Sequence, residues 1–125
     1  MELVEPGAPR ALVVADEPEI AELVSRALEG EGYEVSTARS ASEAFDKLRR
    51  ESFGLLVLDV MLPDMDGIMV HSRLKALDPE LANRTIFISA WAKAPEVREY
   101  LDTVGSFLPK PFSIGDLVRL ARSLN

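Results

Sequence analysis

Three stretches of this chain are apolar almost without a break: ALVVA at 11–15, FGLLVLDV at 53–60 and TIFISA at 85–90. A strand with one wet face alternates polar and apolar residues. Continuous runs of Val, Ile and Leu instead suit strands of a parallel sheet covered on both faces. YEVSTA (33–38) alternates more and reads as an outer strand, and SFLPK (106–110) reads as a short last strand ended by Pro111.

Helical patterns separate these runs. Ile20, Leu23, Val24, Ala27 and Leu28 recur at the spacing of one helix face, with Pro18 in the first turn and Gly30 at the C-terminal end. Ser40-Ala-Ser-Glu43 is a capping box ahead of Ala44, Phe45 and Leu48. A third helix after Gly67 is expected to bury Val70, Leu74 and Leu77, and a fourth carries Val97, Leu101 and Val104 and stops at Gly105. Ser113-Ile-Gly-Asp116 caps a last helix with Leu117, Val118, Ala121 and Leu124. Five strands and five helices in strict alternation predict an α/β, doubly wound five-stranded parallel sheet with right-handed crossovers. At 125 residues the chain suits one domain, spanning 10–125, with residues 1–9 a loose N-terminal arm. The last helix reaches the end of the sequence, so no output domain is expected.

Composition removes several kinds of chemistry. There is no cysteine, so disulfides, thiolate metal sites and cysteine nucleophiles are excluded. The single histidine, His71, is expected on the surface of the third helix without a role, and a Ser-His-Asp triad is improbable. A net charge of −7 and a pI near 4.7 argue against direct nucleic-acid binding, which needs clustered Lys and Arg. No run approaches the roughly 20 apolar residues of a membrane span. MELVEPGAPR lacks the basic start and apolar run of a signal peptide, so the expected location is the cytoplasm.

The polar residues that end the apolar runs are more informative. Open parallel sheets bind ligands beyond the carboxyl ends of their strands, where strand order reverses. The first run ends in Asp16 and Glu17, the third in Asp59, the fourth in Ser89 and the fifth in Lys110. Two strand-end carboxylates make a hard oxygen site suited to Mg²⁺, and a lysine with a hydroxyl opposite suits phosphoryl oxygens. An aspartate in such a cluster can act as a nucleophile and form an acyl phosphate. Plainer roles stand beside these: Asp16 as a cap for the first helix, Asp59 in a buried ion pair with Lys110, Ser89 bonded to local backbone. Lys110 lies between Pro109 and Pro111, which restrict its direction.

LVVADEPEI (12–20), LLVLDVMLPDMDG (55–67) and FLPKPF (107–112), in this order, resemble the receiver domains of two-component response regulators over about residues 10 to 125. The resemblance implies a flavodoxin-like (βα)₅ fold with strand order 2-1-3-4-5. It also implies a signalling module that catalyses only its own phosphorylation and dephosphorylation. Asp59 would accept a phosphoryl group from a phosphohistidine on a sensor histidine kinase or histidine phosphotransfer protein. Asp16, Asp59 and the backbone carbonyl of Met61 would hold Mg²⁺, with Glu17 in reserve. Ser89 and Lys110 would bond the phosphoryl group, Ser89 and Phe107 would act as the switch, and the Lys110–Pro111 peptide would be cis. Met61, Ala90 and Trp91 match positions that govern access to the phosphoryl group. Large apolar residues at 61 and 91 imply slow self-dephosphorylation. The implied state is a monomer or weak dimer with a downstream protein partner.

One departure matters. The family has two adjacent acids after the first strand, and here Ala15 stands for the first of them. Weaker Mg²⁺ binding and slower phosphorylation are therefore expected. The alternative is a receiver-like interaction module that is weakly or not phosphorylated. A haloacid-dehalogenase-like phosphatase would need a second Asp at position 61, which is Met, and an FMN carrier would need a phosphate loop after the first strand.

Overall fold

The computed structural model describes residues 9–89, 99–100 and 106–124. Within them five strands form one parallel sheet: β1 (Arg10–Val14), β2 (Glu34–Ala38), β3 (Leu55–Asp59), β4 (Thr85–Ser89) and β5 (Phe107–Pro109). Their order is β2-β1-β3-β4-β5, as the family resemblance implies. The helices are α1 (Pro18–Gly30), α2 (Ala41–Arg50), α3 (Gly67–Leu77), α4 (Pro79–Asn83) and α5 (Ile114–Ser123). Of the helix expected over 97–104, Glu99 and Tyr100 are helical and the other positions lie outside the described residues, as do residues 1–8 of the N-terminal arm.

Both faces of the sheet are covered, and successive strand residues go to opposite sides. Ala11, Val13, Leu55, Val57, Ile86 and Ile88 pack with Val24 and Leu28 of α1 and with Leu117 and Ala121 of α5. Leu12, Val14, Leu56, Leu58 and Phe87 pack with Ala44 of α2 and with Val70 and Leu74 of α3. Two-sided burial is the reason the central strands carry no polar alternation. The edge strand β2 keeps Glu34 and Thr37 exposed.

Side-chain caps start most of the helices. Ser40 Oγ accepts from the Glu43 amide and Ser113 Oγ from the Asp116 amide, each at 3.1 Å. The Glu43 carboxylate reaches back one residue beyond the cap, to the amide of Arg39 at 3.3 Å. Asp66 caps α3 through the Ile68 amide at 2.8 Å, and Asp78 caps α4 through the Leu81 amide at 3.1 Å. Helix α1 includes Gly30, and the left-handed turn beyond it falls on Gly32, at φ +95°.

Four expectations are corrected. A short extra helix, α4, separates α3 from β4, with Pro79 in its first turn, so the alternation is not strict. Leu77 is 72% exposed, because it sits at the last turn of α3 where the chain leaves the sheet. Leu23 is 43% exposed, on the flank of the α1 face whose centre is Val24 and Leu28. His71 is buried rather than on the surface. Its Nε2 lies 2.9 Å from the Ala82 carbonyl of α4, and its Nδ1 lies 2.7 Å from the Tyr100 hydroxyl. A carbonyl only accepts, so Nε2 carries the proton and Tyr100 donates to Nδ1. Burial among Phe87 and Tyr100 holds His71 below the ordinary histidine pKa of 6.5, against the pull of the Ala82 carbonyl and with a small push from Lys75.

Candidate functional site

Strand order reverses at β1, which pairs with β2 on one side and β3 on the other. The chain leaves β1 into α1 on one face of the sheet and β3 into α3 on the other, so a crevice opens beyond Val14 and Asp59. Asp16 and Glu17 follow β1 on its rim, both exposed, while Asp59 ends β3 with 1% exposure. One carboxylate oxygen from each of the three lies within 4.8 Å of the other two.

Lys110, just past β5, reaches across the crevice. Its Nζ donates to Asp59 Oδ2 at 2.8 Å and to Glu17 Oε1 at 2.7 Å. Burial opposes the charged amine, but hydrogen bonds and negative charge from Asp59 and Glu17 outweigh it and hold Lys110 above the ordinary lysine value. Asp59 Oδ1 accepts from the Met61 amide at 3.0 Å, so both oxygens of this buried carboxylate are bonded. Asp16 makes no hydrogen bond among the described residues. Helix α1 starts with Glu17 at its N-cap and no side-chain cap bond, so Asp16 is not spent on capping.

The loop between β3 and α3 is tied down at both ends. The Gly67 amide donates to the Val60 carbonyl at 2.7 Å, and Met61 bridges Asp66. A Cβ on Gly67 would lie 2.3 Å from the Asp59 carbonyl oxygen, so only glycine permits this approach. Asp64 Oδ1 and Oδ2 accept from the amides of Ala41 (2.8 Å) and Ser42 (3.0 Å), which fastens the loop to the start of α2. These two backbone bonds hold the Asp64 carboxyl below its usual value. Sequence reasoning picks out Gly67 only as the residue that the third helix follows. It misses Asp64, for which an acid after Leu-Pro offers no local signal.

The crevice forms a cleft of about 410 Å³ bordered by Asp16, Glu17, Asp59, Met61, Pro63 and Lys110. A larger cavity of about 510 Å³ lies between α2 and α3, lined by Phe45, Leu48, Phe53 and Leu77 among others, away from the strand-end acids. Of the other expected site residues, Phe107 opens β5, partly buried against the cluster that contains Phe87. Ser89 ends β4 in register with Pro109, and its side chain lies outside the described residues together with Ala90 and Trp91. The Lys110–Pro111 peptide is cis, as expected. Ala15 is buried and lines a separate cavity of about 290 Å³ with Pro18, Thr37 and Arg39. The metal-binding donors in the cleft are three carboxylates in one cluster, all hard oxygens, and Asp16 is unspent. That set fits Mg²⁺ and not a softer metal.

A sequence model of the response regulator receiver domain matches residues 11–122. The chain is 41% identical over 115 residues to the probable transcriptional regulatory protein TcrX of Mycobacterium tuberculosis, covering 90% of this chain and 48% of that protein. It is 33% identical to the response regulator receiver protein CpdR of Brucella abortus, covering 87% and 90%. It thus spans about half the length of the transcriptional regulators it first matches. Among solved structures, a CheY-like receiver domain from Methanospirillum hungatei superposes with a TM-score of 0.84 at 30% identity, covering 94% of each chain. TrrA of Thermotoga maritima, solved in complex with Mg²⁺-BeF, superposes with a TM-score of 0.82 at 27% identity, covering 94% of this chain and 99% of TrrA. Sheet order, strand-end acids and family match agree: the chain belongs to the response regulator receiver domains, the signalling modules of two-component systems.

Proposed function

We propose that this domain accepts a phosphoryl group on Asp59 from the phosphohistidine of a sensor histidine kinase or histidine phosphotransfer protein, in the cytoplasm, and passes the signal to a downstream protein as a monomer or weak dimer. The observation that supports it is the buried carboxylate of Asp59, 2.8 Å from Lys110 and within 4.8 Å of two further acids. Asp59 Oδ1 or Oδ2 attacks phosphorus, the P–N bond to the donor imidazole breaks, and the imidazole leaves with the bonding electrons. The Met61 amide fixes the rotation of the attacking carboxylate, since it holds Oδ1 at 3.0 Å. Lys110 releases Asp59 and bonds the incoming phosphoryl oxygens, and Ser89 supplies a hydroxyl from the end of β4. Asp16, Asp59 and the Met61 carbonyl are the residues that would hold Mg²⁺, which supplies charge neutralisation for the transferring group. Ser89 and Phe107 would act as the switch, and Phe107, having no phenolic hydroxyl, would turn inward by packing alone. By the resemblance, Met61, Ala90 and Trp91 would govern access to the phosphoryl group, and large apolar residues at 61 and 91 would slow loss of the acyl phosphate.

The test is incubation with Mg²⁺ and acetyl phosphate, read by intact mass. Wild type gains one phosphoryl group and Asp59→Asn gains none, and the phosphorylated form outlives that of Met61→Asn. No gain in wild type, or equal gain in Asp59→Asn, overturns the reading.

A further inference from the structure

The family's acid pair is half missing after β1, yet the cleft still holds three carboxylates, because Glu17 reaches into it. Ala15, where the absent acid would stand, offers the cleft no side-chain oxygen. We propose that Glu17 does the work of the missing acid at position 15, as second partner of Lys110 and as third carboxylate beside a bound divalent cation. This rests on the reading of the cleft as a Mg²⁺-assisted phosphoacceptor site.

Three observations converge on Glu17. Its carboxylate is 2.7 Å from Lys110 Nζ, as close as that of Asp59 at 2.8 Å, so one ammonium is shared between them. The Glu17 side chain is 58% exposed while that of Asp59 is 1% exposed, so Glu17 is the partner that can swing away from Lys110. Glu17 sits at the N-cap of α1 but makes no side-chain cap bond, so its carboxylate is free of the duty that position usually carries. Three carboxylates facing one ammonium leave an excess of negative charge, which a divalent cation neutralises. Glutamate also has one more methylene than aspartate, so it reaches the cleft from the far side of Asp16. When a phosphoryl group adds charge at Asp59, Glu17 can yield Lys110 to it without moving backbone.

The test is a double-mutant cycle on Mg²⁺ affinity, measured by calorimetry on wild type, Glu17→Gln, Ala15→Asp and the double variant. Gln keeps the length of the side chain and an oxygen acceptor for Lys110, so the fold is undisturbed, and thermal unfolding checks this. In the native Ala15 background Glu17→Gln is expected to raise the Mg²⁺ Kd about fivefold. With aspartate at 15 the same change should raise it no more than about twofold, because the restored acid makes Glu17 redundant. An unchanged Kd in the native background overturns the proposal, and that arm decides even if Ala15→Asp unfolds. Equal increases in both backgrounds overturn it too, since Glu17 would then act independently of position 15. Failure of the phosphoacceptor reading looks different: Mg²⁺ binding depends on Glu17 as stated, yet acetyl phosphate adds no mass.

Discussion

The two ends of the sheet each hold one cation between two acids, and they differ in everything else. At the amino end Arg10 of β1 pairs with Glu34 at 3.6 Å and with Glu51, and lies over the ring of Phe53 at 5.5 Å. All three charged side chains there are about a third to a half exposed. At the carboxyl end Lys110 joins Glu17 to Asp59, and Asp59 is wholly buried. A triad that is a third to a half exposed is partly solvated and screened, so either acid is lost at less cost. A buried carboxylate depends on its partners, and any change at them is felt in full. Residue choice follows the same line. Arginine's planar fork suits a fixed clamp over an aromatic ring, whereas lysine's compact, swivelling ammonium suits an acid that will exchange its partner for a phosphoryl oxygen.

The sharpest way to break this comparison is to remove each cation. Lys110→Met leaves Asp59 buried with only the Met61 amide beside it, and is expected to cost about 3 kcal/mol by urea unfolding. Arg10→Met is expected to stay within about 1 kcal/mol. Mg²⁺ should recover part of the first loss and none of the second. Equal losses would mean that burial of Asp59 does not set the difference.

Next in size is a methyl group added at each end. Gly67→Ala places Cβ 2.3 Å from the Asp59 carbonyl oxygen, where backbone must move, and should cost about 2 kcal/mol and slow phosphorylation. Gly54→Ala places Cβ 3.8 Å from the Arg10 carbonyl oxygen, an ordinary contact, and should be near neutral or slightly stabilising.

The smallest effect comes from His71, a buried side chain that belongs to neither end. His71 has its pKa depressed by burial, so its neutral form is the folded form. Its contribution is whole above the unfolded pKa of 6.5 and is lost as pH falls from there toward the folded value. Wild type should therefore lose stability below pH 6.5 faster than His71→Gln, by up to about 1.4 kcal/mol per pH unit. Parallel pH profiles for the two would show that His71 does not titrate differently on folding.

Much of the fold and of the site is legible in the order of residues alone. Leu55 to Leu58 carry no polar alternation, and that by itself requires cover on both faces. Asp59 directly after them marks a strand-end carboxylate needing partners, and Lys110 between two prolines marks a cation with a fixed direction. His71 escapes such a reading because its partners, Ala82 and Tyr100, lie on a helix the periodicity does not reveal and on one far along the chain. Leu77 escapes it because an apolar period says which residues share a face, not where that face stops meeting the sheet.

By itself, then, the sequence determined the strands, the longer helices, their two-sided cover and which strands end in acid, because local spacing and hydrophobic period report on an element's own faces; the short α4 it did not reveal. Tertiary structure decided the partners. Glu17 and Lys110 are 93 residues apart, Asp59 and Lys110 are 51 apart, and Asp64 reaches back 23 residues to α2. A hydrogen bond or ion pair acts over a few ångströms, so it exists only where packing brings the groups together. Only the folded crevice shows that the acid missing at position 15 has a neighbour within reach of Lys110.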